Sequence, residues 1–155
     1  MGLWDTLKGA VQSMTGGAAE VQVEVGASTL GAPTFVRITA QANADIDIQS
    51  VYLLVRAHEE AEVRDVDYDY EDGRRRIEYV RGHHQTFSGR FEIAGAQALS
   101  SGQNYTWEGE FVIPEDNHPS FDGYMISHTW QLQAGLDARG NDPDSGWLAF
   151  DVWDN

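Results

Sequence analysis

The sequence predicts an all-β, two-sheet antiparallel sandwich carrying a short amphipathic helix at its N-terminus. Three observations point there. Apolar residues recur with period two over most of the chain, the spacing of strands with one buried face. Turn residues break this pattern at short intervals, and no long internal stretch has helical spacing. At 155 residues, with 41% hydrophobic residues and five Trp, six Tyr and six Phe, the chain is long and apolar enough for one well-buried core.

The elements follow in order. Leu3, Trp4, Leu7, Val11 and Met14 fall on one stripe of a helix over residues 3–14, with Asp5, Thr6, Lys8, Gln12 and Ser13 opposite. Gly16-Gly17 is the expected stop and hinge. The expected domains are therefore residues 1–17, helix and hinge, and residues 18–155, a single sandwich. A helix this short is marginal alone in water, so its stripe needs a surface to cover.

Beyond the hinge, Val21, Val23 and Val25 alternate with Gln22 and Glu24. A second strand runs from Thr34 to Gln41 after the turn at Gly31-Ala32-Pro33, and a long one from Asp45 to Glu59. In the long strand the apolar phase changes between Ile48 and Val51, which predicts a bulge or a bend. The charged stretch 61–82 reads as a ribbon-like hairpin turning near Asp72-Gly73. Asp65, Asp67 and Asp69 lie on one side of it and Val66, Tyr68 and Tyr70 on the other. Phe87, Phe91 and Ile93 share a face, as do Tyr105, Trp107, Phe111 and Ile113. The cleanest alternation is Tyr124, Ile126, His128, Trp130, Leu132, Ala134 and Leu136. The last strand, residues 147–153, is apolar on both faces, which predicts a cover over Trp147 and Trp153, the N-terminal helix being one candidate.

Three stretches give the chain a family likeness. They are Gly31-Ala32-Pro33 leading into Phe35-Val36-Arg37-Ile38, the strand Ile46-Asp47-Ile48-Gln49-Ser50-Val51-Tyr52-Leu53, and Phe111-Val112-Ile113-Pro114-Glu115 followed by Pro119-Ser120-Phe121-Asp122-Gly123 and the strand from Tyr124 to Asp137. Over residues 20–153 the chain resembles the arrestin-like, immunoglobulin-like sandwich, and within it the N-terminal half of bacterial sporulation-control proteins. That resemblance implies adaptor or scaffold work through sheet edges and loops, and it implies no catalytic residues. Arrestin-like proteins commonly carry two sandwiches in tandem, and this length holds one.

Charge and motifs narrow the function classes. The formal net charge is −15, from 25 acids and 10 bases. Such acidity opposes binding to nucleic acid phosphates and to anionic lipid, and it also serves solubility, including in salt. No cysteine is present, so disulfides, thiolate metal sites and thiol nucleophiles are excluded. With no signal-peptide pattern, the expected location is cytoplasmic.

No Gly-x-Ser-x-Gly elbow and no phosphate-cradling glycine loop occurs, so the chain is read as not an enzyme and no cofactor is expected. His58, His83, His84, His118 and His128 match no zinc spacing, and His128 sits on the apolar face as a hydrogen-bonded core residue. Asp137, Asn141, Asp142 and Asp144, with Gly140 and Gly146, form an oxygen-rich loop. It is a candidate calcium loop by composition and a solvated turn by the same residues.

The expected function is a non-enzymatic, regulatory protein-interaction or scaffolding module. It docks on a protein partner or a second copy through the stripe Leu3, Trp4, Leu7, Val11 and Met14 and through sheet edges. The alternatives are peripheral membrane attachment by the same helix, which the acidic charge disfavours, and a ligand- or sugar-binding sandwich with a deep pocket.

Overall fold

Every strand of this chain has to place its apolar side against another sheet, and the topology shows how. The computed structural model describes residues 11–14, as backbone, and residues 17–155. Twelve strands occur among them and no helix. In chain order they are β1 (Val11–Met14), β2 (Ala19–Val25), β3 (Ser28–Thr29), β4 (Pro33–Ala42), β5 (Ile46–Asp69), β6 (Arg74–Ala94), β7 (Gln97–Leu99), β8 (Asn104–Val112), β9 (Phe121–Asp122), β10 (Ile126–Ala138), β11 (Leu148–Phe150) and β12 (Val152–Trp153). One sheet has the order β1-β2-β4-β8. The other has the order β11-β10-β5-β6, with β7 beside β5 and β9 beside β10. A short parallel pair, β12 with β3, lies apart from both.

The core lies between the two sheets. Val21, Val23, Val36 and Ile38 from the first meet Leu53, Val55, Trp130, Leu132 and Leu136 from the second, all essentially inaccessible to water. The alternating residues of β2, β4, β5 and β10 are thus placed as their period requires. The phase change in the long strand is a bulge. Leu136 pairs with Val51 and Ala138 with Ile48, so β5 carries one extra residue between Ile48 and Val51.

Four expectations are corrected. Val11–Met14 is a strand antiparallel to β2, with Val11 opposite Glu24 and Met14 opposite Val21, and not the last turn of a helix. The tail of a marginal helix gains more by pairing with the otherwise open backbone of β2. The sandwich therefore begins before residue 18, and Gly17, at φ +82°, lies in the β1–β2 connection. Leu3, Trp4 and Leu7 lie outside the described residues.

The charged hairpin is not a separate element either. β5 runs for 24 residues and β6 for 21, so the hairpin is the outer end of two core strands. Its turn is where expected, Asp69 facing Arg74 with Gly73 at φ +63°. β10 begins at Ile126 but its buried alternation begins only at His128: Tyr124, before the strand, is 98% exposed and Ile126 is 44% exposed. Finally, the last strand breaks at Asp151. β11 pairs with β10 and β12 with β3. Trp147 is covered by the Arg56 guanidinium, 3.7 Å from its ring centre, while Trp153 is exposed.

Candidate interaction surface

Beyond Glu62, whose N–H donates to the Met125 carbonyl, β10 no longer accompanies β5. From there β5 and β6 project as a bare two-stranded ribbon, paired from Val63–Val80 to Asp69–Arg74. Residues paired across an antiparallel ladder share a face. The inner face, continuing the core side, holds Val63, Val80, Asp65, Glu78, Asp67, Arg76, Asp69 and Arg74. Asp67 faces Arg76 and Asp69 faces Arg74, while Asp65 faces Glu78.

The outer face is different. It carries Glu62 opposite Arg81, Arg64 opposite Tyr79, Val66 opposite Ile77, and Tyr68 opposite Arg75. Val66, Tyr68, Ile77 and Tyr79 are 41%, 56%, 43% and 63% exposed, and Tyr70 at the tip is 89% exposed. The Tyr68 and Tyr70 rings lie 5.2 Å apart, and the base is closed by an Arg81–Glu62 ion pair at 2.7 Å.

A bulge creates this face. Ala57 pairs with Phe87 but His58 pairs with Gln85, so Thr86 is an extra residue in β6. One extra residue moves every following side chain to the other face. Phe87 and Phe91 point to the core, while Ile77, Tyr79 and Arg81 point outward. Thr86 itself bonds His128 Nε2 at 2.7 Å.

His128 is fully buried. Its Nδ1 lies 2.9 Å from the Pro119 carbonyl, which can only accept, so Nδ1 donates there while Nε2 bonds the Thr86 hydroxyl. Ser120 continues the same tie: its N–H donates to the Val152 carbonyl and its Oγ accepts from the Val152 N–H. The Pro119-Ser120 segment that carried part of the family likeness is therefore the clasp between β10 and β12.

Next to the ribbon base lies an open groove of about 540 Å³, lined by Glu60, Glu62, Arg81, His83, Asp122, Tyr124, Met125 and Ile126. His58 and His83 stack beside it at 4.8 Å. Burial, then the neighbouring Arg56, pushes the His58 pKa down. His84, one residue on, sits opposite Glu59 on the other face of β6.

Among the described residues no three His, Asp or Glu side chains converge in a metal-holding group. In the 137–144 loop, Asp142 accepts from the Tyr52 hydroxyl at 2.8 Å and from the Ala138 N–H. Asp144 accepts from the Gly146 N–H, and Asp137 pairs with Arg90. Asn141 is exposed. These carboxylates bind protein donors and tie a turn onto the sheet.

Burial, followed by the Asp142 hydrogen bond and charge, raises the Tyr52 pKa far above its ordinary 10.0. The neutral phenol is the form the fold stabilises. Its contribution is fully present below pH 10 and is lost as pH climbs toward the raised value. Above pH 10, thermal stability is expected to fall with pH more steeply in the native chain than in Tyr52→Phe, by up to about 1.4 kcal/mol per pH unit. Equal slopes in calorimetric scans would refute this.

No protein-family model matches the chain, and no curated protein matches it. Among solved structures it is similar to the crystal structure of Spo0M, a sporulation control protein from Bacillus subtilis, with a TM-score of 0.60. The fold is an arrestin-like sandwich of the Spo0M type. Identity is 18%, so the likeness is one of architecture. The match covers 88% of this chain and 50% of Spo0M, so the chain spans about half the length of the protein it resembles. Among the described residues no helix is long and apolar enough to cross a membrane.

The pattern of Val66, Tyr68 and Tyr70 against Asp65, Asp67 and Asp69 was readable from the sequence. The matching Ile77 and Tyr79 were not, because their face depends on the Thr86 bulge. The groove was missed as well, since Asp122–Ile126 and Glu60–His83 meet only through pairing of β5 with β6 and β10.

Proposed function

We propose that this chain is a non-enzymatic regulatory interaction module that docks on a protein partner through the outer face of the β5–β6 ribbon and the groove at its base. One observation carries the reading: a two-stranded ribbon extends past the sandwich with Val66, Tyr68, Ile77 and Tyr79 exposed on one face and Tyr70 exposed at the tip. Bare two-stranded ribbons are marginal in water, and Tyr and Arg on a desolvated face are the residues that dominate protein interfaces. Covering the remaining apolar surface of these side chains is worth on the order of 1 kcal/mol each. The Spo0M-type fold is compatible with such a role. Leu3, Trp4 and Leu7 enter the proposal as a second contact, carried by their sequence spacing alone.

The test is a chain in which residues 64–79 are replaced by Asn-Gly, a dipeptide that closes a hairpin between the directly paired Val63 and Val80. All the residues removed are exposed, so the melting temperature is expected to change by only a few degrees or less. Proteins captured from lysate by the full chain are expected to be lost by the shortened one. Identical capture by both chains would overturn the reading. A deletion of residues 1–10, which leaves β1 in place, reads the N-terminal contribution separately.

A further inference from the structure

The outer face of the ribbon complements itself. Outward from the base its rows are Arg64 with Tyr79, Val66 with Ile77, and Tyr68 with Arg75. The middle row is aliphatic. Each flanking row holds one arginine and one tyrosine, but the strands exchange them: arginine stands on β5 in the inner row and on β6 in the outer row. A two-fold axis running across the ribbon through the middle row lays a second ribbon antiparallel on the first. Val66 then meets Val66 of the second copy, and Ile77 meets Ile77. Arg64 lies over Tyr68 of the second copy and Arg75 over Tyr79, each contact occurring twice, as an isologous interface requires.

We propose that this face pairs with the same face of a second copy of the chain, antiparallel, about an axis through Val66 and Ile77. The inference rests on reading the ribbon as a docking arm and goes further by naming its partner. Guanidinium on an aromatic ring is attractive, and the fold already uses it twice, with Arg56 over Trp147 at 3.7 Å and Arg90 over Tyr52 at 3.8 Å.

Charge selects the antiparallel direction. Residues 62–81 hold five of the ten basic residues and seven of the 25 acids, which leaves −13 of the net charge on the remainder of the chain. A parallel pairing sets two such bodies side by side. The antiparallel one sets them at opposite ends of a ribbon roughly 27 Å long, about three screening lengths at physiological salt. The paired area, roughly 300 Å² per copy, is small and makes a transient dimer.

Sedimentation equilibrium of the full chain from about 10 µM to about 1 mM tests the pairing. The mass is expected to rise with concentration from 17.2 kDa toward twice that value. Raising salt to about 1 M is expected to strengthen association, because screening relieves repulsion between the acidic bodies. Val66→Asp and Val66→Lys each set like charges against themselves on the axis, and each is expected to lose association at least tenfold. Their equimolar mixture is expected to regain it, because Asp then meets Lys. Val66 is exposed, so both variants keep the native circular dichroism spectrum.

A mass of 17.2 kDa at every concentration overturns the pairing, as does a Val66→Asp variant that associates like the native chain, or a mixture that stays monomeric. If the full chain is monomeric while the ribbon-shortened chain still loses its captured proteins, the self-pairing fails and the docking arm stands. If shortening changes neither mass nor capture, both fail.

Discussion

Replacing Trp130 with alanine is expected to destabilise the fold by about 3–5 kcal/mol, which lowers the melting temperature of a domain of this size by roughly 10–15 °C. Trp130 is 1% exposed and is among the largest fully buried side chains. Its ring packs against Phe87 of β6 at 5.3 Å, His128 at 5.7 Å and Phe150 of β11 at 6.5 Å, so it touches three strands of the second sheet. Its Nε1–H donates to the His118 carbonyl at 3.0 Å. Truncation therefore opens a cavity and also strips the 114–121 loop of one of its ties to β10. Trp130→Phe keeps most of the side-chain volume and loses the donor and part of the indole, so it is expected to cost less than half as much. Urea unfolding of both variants checks the split, and an alanine variant within 1 kcal/mol of the native chain would falsify the packing account.

Gly135→Val is expected to be of similar size, about 3 kcal/mol or more. Gly135 is buried in β10 directly opposite Tyr52 of β5, and any Cβ built there enters the space of the Tyr52 ring and hydroxyl. The ring has little room to swing aside. Asp142 holds its hydroxyl at 2.8 Å and the Arg90 guanidinium covers its face. A larger residue must break that hydrogen bond or push the strands apart. The clash is specific, so removing the ring should relieve it. The cost of Gly135→Val in a Tyr52→Ala background is expected to be smaller by at least about 1 kcal/mol, a coupling that a double-mutant cycle in urea reads directly. Strict additivity would show that the glycine is required for some other reason.

Both sites also lie apart from the segment proposed to dock. Trp130 and Gly135 lie in the part of β5, β6 and β10 that is covered on the core side, clamped by the 114–121 clasp and the 137–146 turn. The same strands leave that support beyond Glu62. The result is a packed base carrying a ribbon whose own side chains are nearly all exposed. In the loop that resembles a calcium site by composition, the aspartates hold Tyr52, Arg90 and backbone N–H groups.

What the sequence by itself determined is the set of faces. Period two commits Val21, Val23, Leu53, Val55, Leu132 and Leu136 to one side of their strands whatever the partners are. The phase break between Ile48 and Val51 marks a bulge or a bend, and the pairing of Leu136 with Val51 and Ala138 with Ile48 makes it a bulge. The Asp72-Gly73 turn and the core role of His128 are local in the same sense. What only the tertiary structure decided is which strands pair and where each ends. Val11–Met14 has an amphipathic spacing that a helix would satisfy, and the open edge of β2 makes it a strand. β11 and β12 look like one strand until their separate partners, β10 and β3, divide them. The outward turn of Ile77 and Tyr79 follows from one extra residue, Thr86, opposite β5. These outcomes depend on backbone hydrogen bonds between segments far apart in the chain, and no local pattern of side chains encodes a partner that distant.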